Sequence, residues 1–160
     1  MPNRRETSRG MSMSSVDVVS AISNSTAETD LFSASIPAGK LGLEKTLALH
    51  YVGRLTTGLL PPAVTIKVYL GSSSLTVFTA VALLASGSKP LVLDVRISNV
   101  NSMSAQYVSV VGQYNTSCIT ADADWTVDTT TAQTLRVTAQ FVSLSTSTSI
   151  QTKEAVLEIS

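Results

Sequence analysis

Gln133-Thr134-Leu135-Arg136-Val137-Thr138-Ala139-Gln140-Phe141 is followed by a Ser/Thr-rich stretch, 143–152, and then by Glu154-Ala155-Val156-Leu157-Glu158-Ile159-Ser160. In the first segment Leu135, Val137, Ala139 and Phe141 alternate with Thr134, Arg136, Thr138 and Gln140. This period of two places the apolar set on one face of a strand. Ala155, Leu157 and Ile159 repeat the pattern. Residues 143–152 are too poor in apolar side chains to join a core and polar enough to cross a surface, so they read as the connection of a closing hairpin.

The same alternation recurs upstream. Residues 46–55 put Leu47, Leu49, Tyr51 and Leu55 on one face, with Ala48, His50, Val52 and Arg54 on the other. Residues 65–70 direct Ile66, Val68 and Leu70 inward. The strongest pattern is at 91–100, where Leu91, Leu93, Val95 and Ile97 oppose Val92, Asp94, Arg96 and Ser98. Residues 31–36 and 106–114 add strands. The run 75–85 fits a buried strand or a short helix, and its β-branched residues favour the strand. A short first strand is expected at 16–22, and 118–124 reads as a lead into a polar loop. Pro37-Ala38-Gly39, Pro61-Pro62, Gly71-Ser72-Ser73-Ser74 and Gly87-Ser88-Lys89-Pro90 are turns. About eight strands separated by turns, with no long helical pattern, predict an all-β protein: an antiparallel β-sandwich of jelly-roll type. The expected division is an extended N-terminal arm, 1–20, and a sandwich domain, 21–160.

Charged residues make up only 14% of the chain and cancel to zero. That excludes long-range electrostatic steering to nucleic acid, and it is less charge than a small soluble surface normally carries. Apolar residues on both faces of several strands point the same way, because a sheet facing water should be polar outside. A homo-oligomer is therefore expected, with Val92, Val108, Val110 and Trp125 as interface candidates. Arg4, Arg5 and Arg9, with Met11 and Met13, lie in a segment without periodicity, which suits an arm that orders against a neighbour. No continuous apolar run marks a signal peptide, and no stretch is long enough for a membrane-spanning helix.

No residue set suggests catalysis, and no cofactor is expected. His50 is the only histidine and lies mid-strand, without a nucleophile and orienting group in any recognisable pattern. Cys118, the single cysteine, reads as a small hydrophobe. Asp122, Asp124 and Asp128 could offer oxygen ligands to calcium, but their spacing does not match an EF-hand loop, and loop solvation and turn capping are the expected roles. No metal site is expected.

Ser35-Ile36-Pro37-Ala38-Gly39-Lys40-Leu41-Gly42, Ile66-Lys67-Val68-Tyr69-Leu70-Gly71, Leu93-Asp94-Val95-Arg96-Ile97 and Val127-Asp128-Thr129 with 133–140 together resemble a recurrent β-sandwich module of tailed bacteriophages. The resemblance covers roughly residues 30–160. It implies a virion protein synthesised in the bacterial cytoplasm, of the kind that forms jelly-roll trimers as head decoration proteins, head spikes or fibre tips. The short arm favours the outer surface of the head, with the major capsid protein lattice as partner. The alternative is a tail-fibre or tail-spike tip that recognises a host-surface glycan or protein. The residues shared with that module are fold residues, so no active site is implied.

Overall fold

The computed structural model describes residues 11–14, 21–80 and 87–160. Among these residues alternating apolar side chains build eleven strands: β1 (Met11–Ser14), β2 (Ile22–Ser23), β3 (Thr29–Ile36), β4 (Thr46–Thr57), β5 (Val64–Leu70), β6 (Ser73–Ala80), β7 (Gly87–Asn99), β8 (Gln106–Tyr114), β9 (Ser117–Trp125), β10 (Gln133–Phe141) and β11 (Ser149–Ile159). They form two antiparallel sheets. The larger runs β1-β11-β4-β7-β8-β9, with β2 also pairing β11, and the smaller runs β3-β10-β5-β6. The expected antiparallel β-sandwich is therefore observed. Among the described strands the chain changes sheet six times, at β2 to β3, β3 to β4, β4 to β5, β6 to β7, β9 to β10 and β10 to β11, which is the jelly-roll habit with a β7-β8-β9 meander added.

One core lies between the sheets. Leu47, Leu49, Tyr51 and Leu55 of β4, Leu91, Leu93, Val95 and Ile97 of β7, and Ala155, Leu157 and Ile159 of β11 face Ile66, Val68 and Leu70 of β5 and Leu135, Val137 and Ala139 of β10. All are buried, so the alternation at these strands placed the inner set correctly. Burying a Leu, Ile or Val side chain contributes roughly 1.5–3 kcal/mol each, which makes this set the main source of stability.

Three expectations need correction. Val108 and Val110 lie opposite Ile97 and Val95 in the β7/β8 register and are fully buried in the chain's own core. They are therefore not available as an oligomer interface. Trp125 belongs to the same core. Residues 118–124 form β9 rather than a loop lead, with Ile119, Ala121, Ala123 and Trp125 turned inward. The closing connection is also shorter than expected, because β11 begins at Ser149 and buries Ile150 and Thr152.

A buried polar relay ties the sheets together. Thr152 donates its hydroxyl to the Leu31 carbonyl of β3 at 2.7 Å and accepts from the Tyr51 hydroxyl at 3.2 Å. Burial pushes the Tyr51 phenol up to about 12, moderated by the Thr152 contact, so it stays a neutral donor. Gly53 makes room for it: a Cβ there would meet the Tyr51 hydroxyl oxygen at 2.9 Å.

Candidate functional site

Three of the resembling segments, 35–42, 66–71 and 127–129 with 133–140, meet at one end of the sandwich. There Asn99, at the end of β7, donates through Nδ2 to the Leu41 carbonyl at 2.7 Å and to Thr129 Oγ1 at 3.2 Å. Its Oδ1 accepts from Gln106 Nε2 at 2.8 Å. Gln106 also donates to the Val127 carbonyl at 3.0 Å and accepts from the Val127 amide at 2.9 Å. Thr129 donates to the Met103 carbonyl at 2.8 Å, and its own carbonyl accepts from the Gly39 amide at 2.9 Å. Asn99, Gln106 and Thr129 are all buried. This knot fastens the turn after Ile36 to the loops that follow β7 and β9. Every donor in it is spent on backbone or on another member, so it positions the loops rather than binding a ligand.

Gly71 extends the same end. Its φ of 58° lies in the left-handed region, and a Cβ would collide with Gln133 Oε1. Its amide donates to the Thr134 carbonyl at 2.9 Å, which locks the β5/β6 turn onto β10. The resembling Leu-Gly and Gln-Thr-Leu segments are thus physically coupled. Asp128 caps the adjoining turn by accepting from the Thr130 amide at 2.9 Å and hydroxyl at 2.6 Å. These two bonds hold its carboxyl below its ordinary range. Asp122 and Asp124 instead project from the outer face of β9, and among the described residues no three His, Cys, Asp or Glu side chains group to hold a metal ion. Turn capping is thus the observed role of Asp128.

The outer face of the larger sheet carries the remaining polar candidates. Register places His50 beside Asp94, and His50 Nδ1 lies 2.7 Å from Asp94 Oδ1. Both are exposed. Around this pair stand Ala48, Val52, Val92, Val111 and Val156, an aliphatic ring drawn from β4, β7, β8 and β11. An open concavity of about 680 Å³ is lined by Ala48, His50, Asp94, Arg96, Ser109, Val111, Val156 and Glu158. Val92 is the one interface candidate on this face, half-buried within the ring. Cys118 is exposed at its margin on β9, not buried as a small hydrophobe would be.

On the outer face of the smaller sheet Glu28 accepts from the Tyr69 hydroxyl at 2.6 Å, the Thr138 hydroxyl at 2.7 Å and Lys67 Nζ at 3.0 Å. Burial raises its carboxyl, but these three donors outweigh it and bring the value to about 2. Nearby, the Arg136 guanidinium lies 4.5 Å from the centre of the Tyr69 ring and 3.4 Å from Asp30 Oδ1.

At the end opposite the knot, Leu59, Leu60, Val142 and Leu144 are 80%, 91%, 69% and 65% exposed. The two loops that carry them lie side by side, since the Val142 amide donates to the Ala63 carbonyl at 3.0 Å. Neither loop, 58–63 or 142–148, contains a charged residue. Of the arm candidates, Arg4, Arg5 and Arg9 lie outside the described residues. Met11 and Met13 belong to β1, whose backbone pairs with β11, so that part of the expected arm is a strand of the sheet. Periodicity missed Asn99 and Gln106. The available signal was an amide at the end of one strand and another at the start of the next, in step with Ile97 and Val108 on the inner face.

No family model matches the chain, and no curated protein matches it. Among solved structures it is similar to a chain in the structure of infectious bursal disease virus Gx strain, with 16% identity over 94% of this chain and a TM-score of 0.42. This chain spans 31% of the length of that one. It is also similar to the CBM2 module of Lactobacillus casei BL23 phage J-1 evolved Dit, with 12% identity, 79% of this chain, 67% of that chain and a TM-score of 0.34.

Proposed function

We propose that this protein is a structural component of a tailed-bacteriophage virion, a trimeric decoration protein on the outer surface of the head. The observation that carries the reading is the uncharged loop end bearing Leu59, Leu60, Val142 and Leu144. Four large aliphatics left in water on neighbouring loops are costly unless a partner covers them, and such patches mark protein interfaces. Its support is the joining of the phage-like segments 35–42 and 127–129 in one structural knot, with 66–71 coupled to 133–140 beside it. The role is assembly rather than chemistry.

The two contact surfaces fall at opposite ends. Met11 pairs with Ile159 at the knot end, so the basic residues 1–10 enter there, and they are assigned to the shell. The aliphatic loops at the other end are assigned to neighbouring subunits. Attachment at many sites on an assembled head then stabilises the shell by mass action. Deleting residues 1–10 tests the assignment without touching β1. Head occupancy should fall to background while the oligomer keeps its mass, and unchanged occupancy would refute docking by this segment. A tail-tip receptor-binding domain would instead bind host cells and leave heads bare.

A further inference from the structure

The larger sheet's outer face is acidic. Asp94, Asp122, Asp124, Glu154 and Glu158 are exposed on it, against the three cations Arg54, Arg96 and Lys153, the last at the β11 bulge. The chain as a whole is neutral, and residues 1–10 hold three arginines against the single carboxylate Glu6. The missing positive charge is therefore concentrated in one short segment, and its point of attachment is known. Ser12 pairs with Glu158 and Met11 with Ile159, on the edge of this same sheet. Crossing from β1 to β9 takes five strand spacings, about 24 Å, while ten extended residues reach about 33 Å. The aliphatic ring and the open concavity around His50 and Asp94 provide a floor on which arginine stems can lie while their guanidiniums meet carboxylates at the rim.

We propose that residues 1–10 of this chain, through Arg4, Arg5 and Arg9, bind across the acidic outer face of the larger sheet. Arg9 is two residues from β1 and falls nearest Glu158, while Arg4 and Arg5 reach Asp94 and Asp122. A segment held there is withheld from other partners. Docking to a shell must then displace it, and this consequence alone rests on the virion reading.

The test uses the full chain with a photoreactive residue at Thr7, and a synthetic peptide of residues 1–10 titrated calorimetrically into the chain that lacks them. Irradiation should cross-link position 7 to β4, β7, β8 or β11, within one chain or between two copies. The peptide should bind saturably and more weakly as salt rises. Glu158→Lys with Asp122→Lys should weaken it at least tenfold, and a peptide carrying Arg→Glu at positions 4, 5 and 9 should prefer that variant to the native surface. Cross-links confined to other surfaces, or peptide affinity indifferent to the charge reversal, would overturn the proposal. Neither readout requires heads, so failure here leaves the virion reading standing, and the converse holds.

Discussion

Asn99 shows how much depends on one amide. Among the described residues it is the one side chain that bonds to the turn after Gly39, the Thr129 loop and Gln106 together. Asn99→Ala removes its bonds to the Leu41 carbonyl, Thr129 Oγ1 and Gln106 Nε2 from a buried site, leaving Leu41 with Thr129 and Gln106 with the Met103 and Val127 carbonyls, which should cost about 1–3 kcal/mol. Urea unfolding followed by fluorescence would read it as a lowered midpoint. His50→Ala should cost under about 1 kcal/mol, because its pair with Asp94 is exposed. A large loss for His50→Ala and none for Asn99→Ala would reverse the assignment of structural weight. The same scale explains a misreading. At 106–114 valines occupy both parities, so composition does not say which set is inside. Only pairing with Ile97 and Val95 does. Val108→Lys should therefore unfold the chain, while Val111→Lys, on the half-open outer face, should leave it folded by circular dichroism.

At the scale of elements, strands with large alternating aliphatics were legible and those built from small residues were not. β7 could be read directly from Leu91, Leu93, Val95 and Ile97. β9 could not, because Ala121 and Ala123 supply its inner face and two aspartates its outer one, the composition of a loop. The knot was legible only as turn motifs, since hydrogen bonds between residues 30 and 58 positions apart leave no local pattern. The segment before β3 makes a separate prediction. Glu28 pins it to β10 and β5 with a carboxyl brought from its ordinary 4.5 down to about 2, so its stabilisation is fully present above pH 4.5 and is lost as pH falls towards 2. Glu28→Gln should lower stability by about 1–2 kcal/mol at neutral pH and flatten the pH dependence in that window. An unchanged acid limb in denaturation curves would mean that the clamp contributes nothing.

For the whole molecule, the low charge content pointed to covered surface, and the structure relocates where that cover is needed. Val108, Val110 and Trp125 are satisfied by the chain's own core, whereas Leu59, Leu60, Val142 and Leu144 stand in water at one end. Leu59→Asp with Leu144→Asp should reduce the proposed trimer to monomers in sedimentation equilibrium without loss of β-structure, and an unaltered mass would move the subunit contact elsewhere. The decisive observation is cryo-electron microscopy of the virion proposed to carry this chain. A head decoration protein should appear as density of about 17 kDa per copy in three-fold clusters on the outer shell, with the knot end inward. Density at the tail tip with a bare head would contradict the decoration role and make the chain a receptor-binding domain.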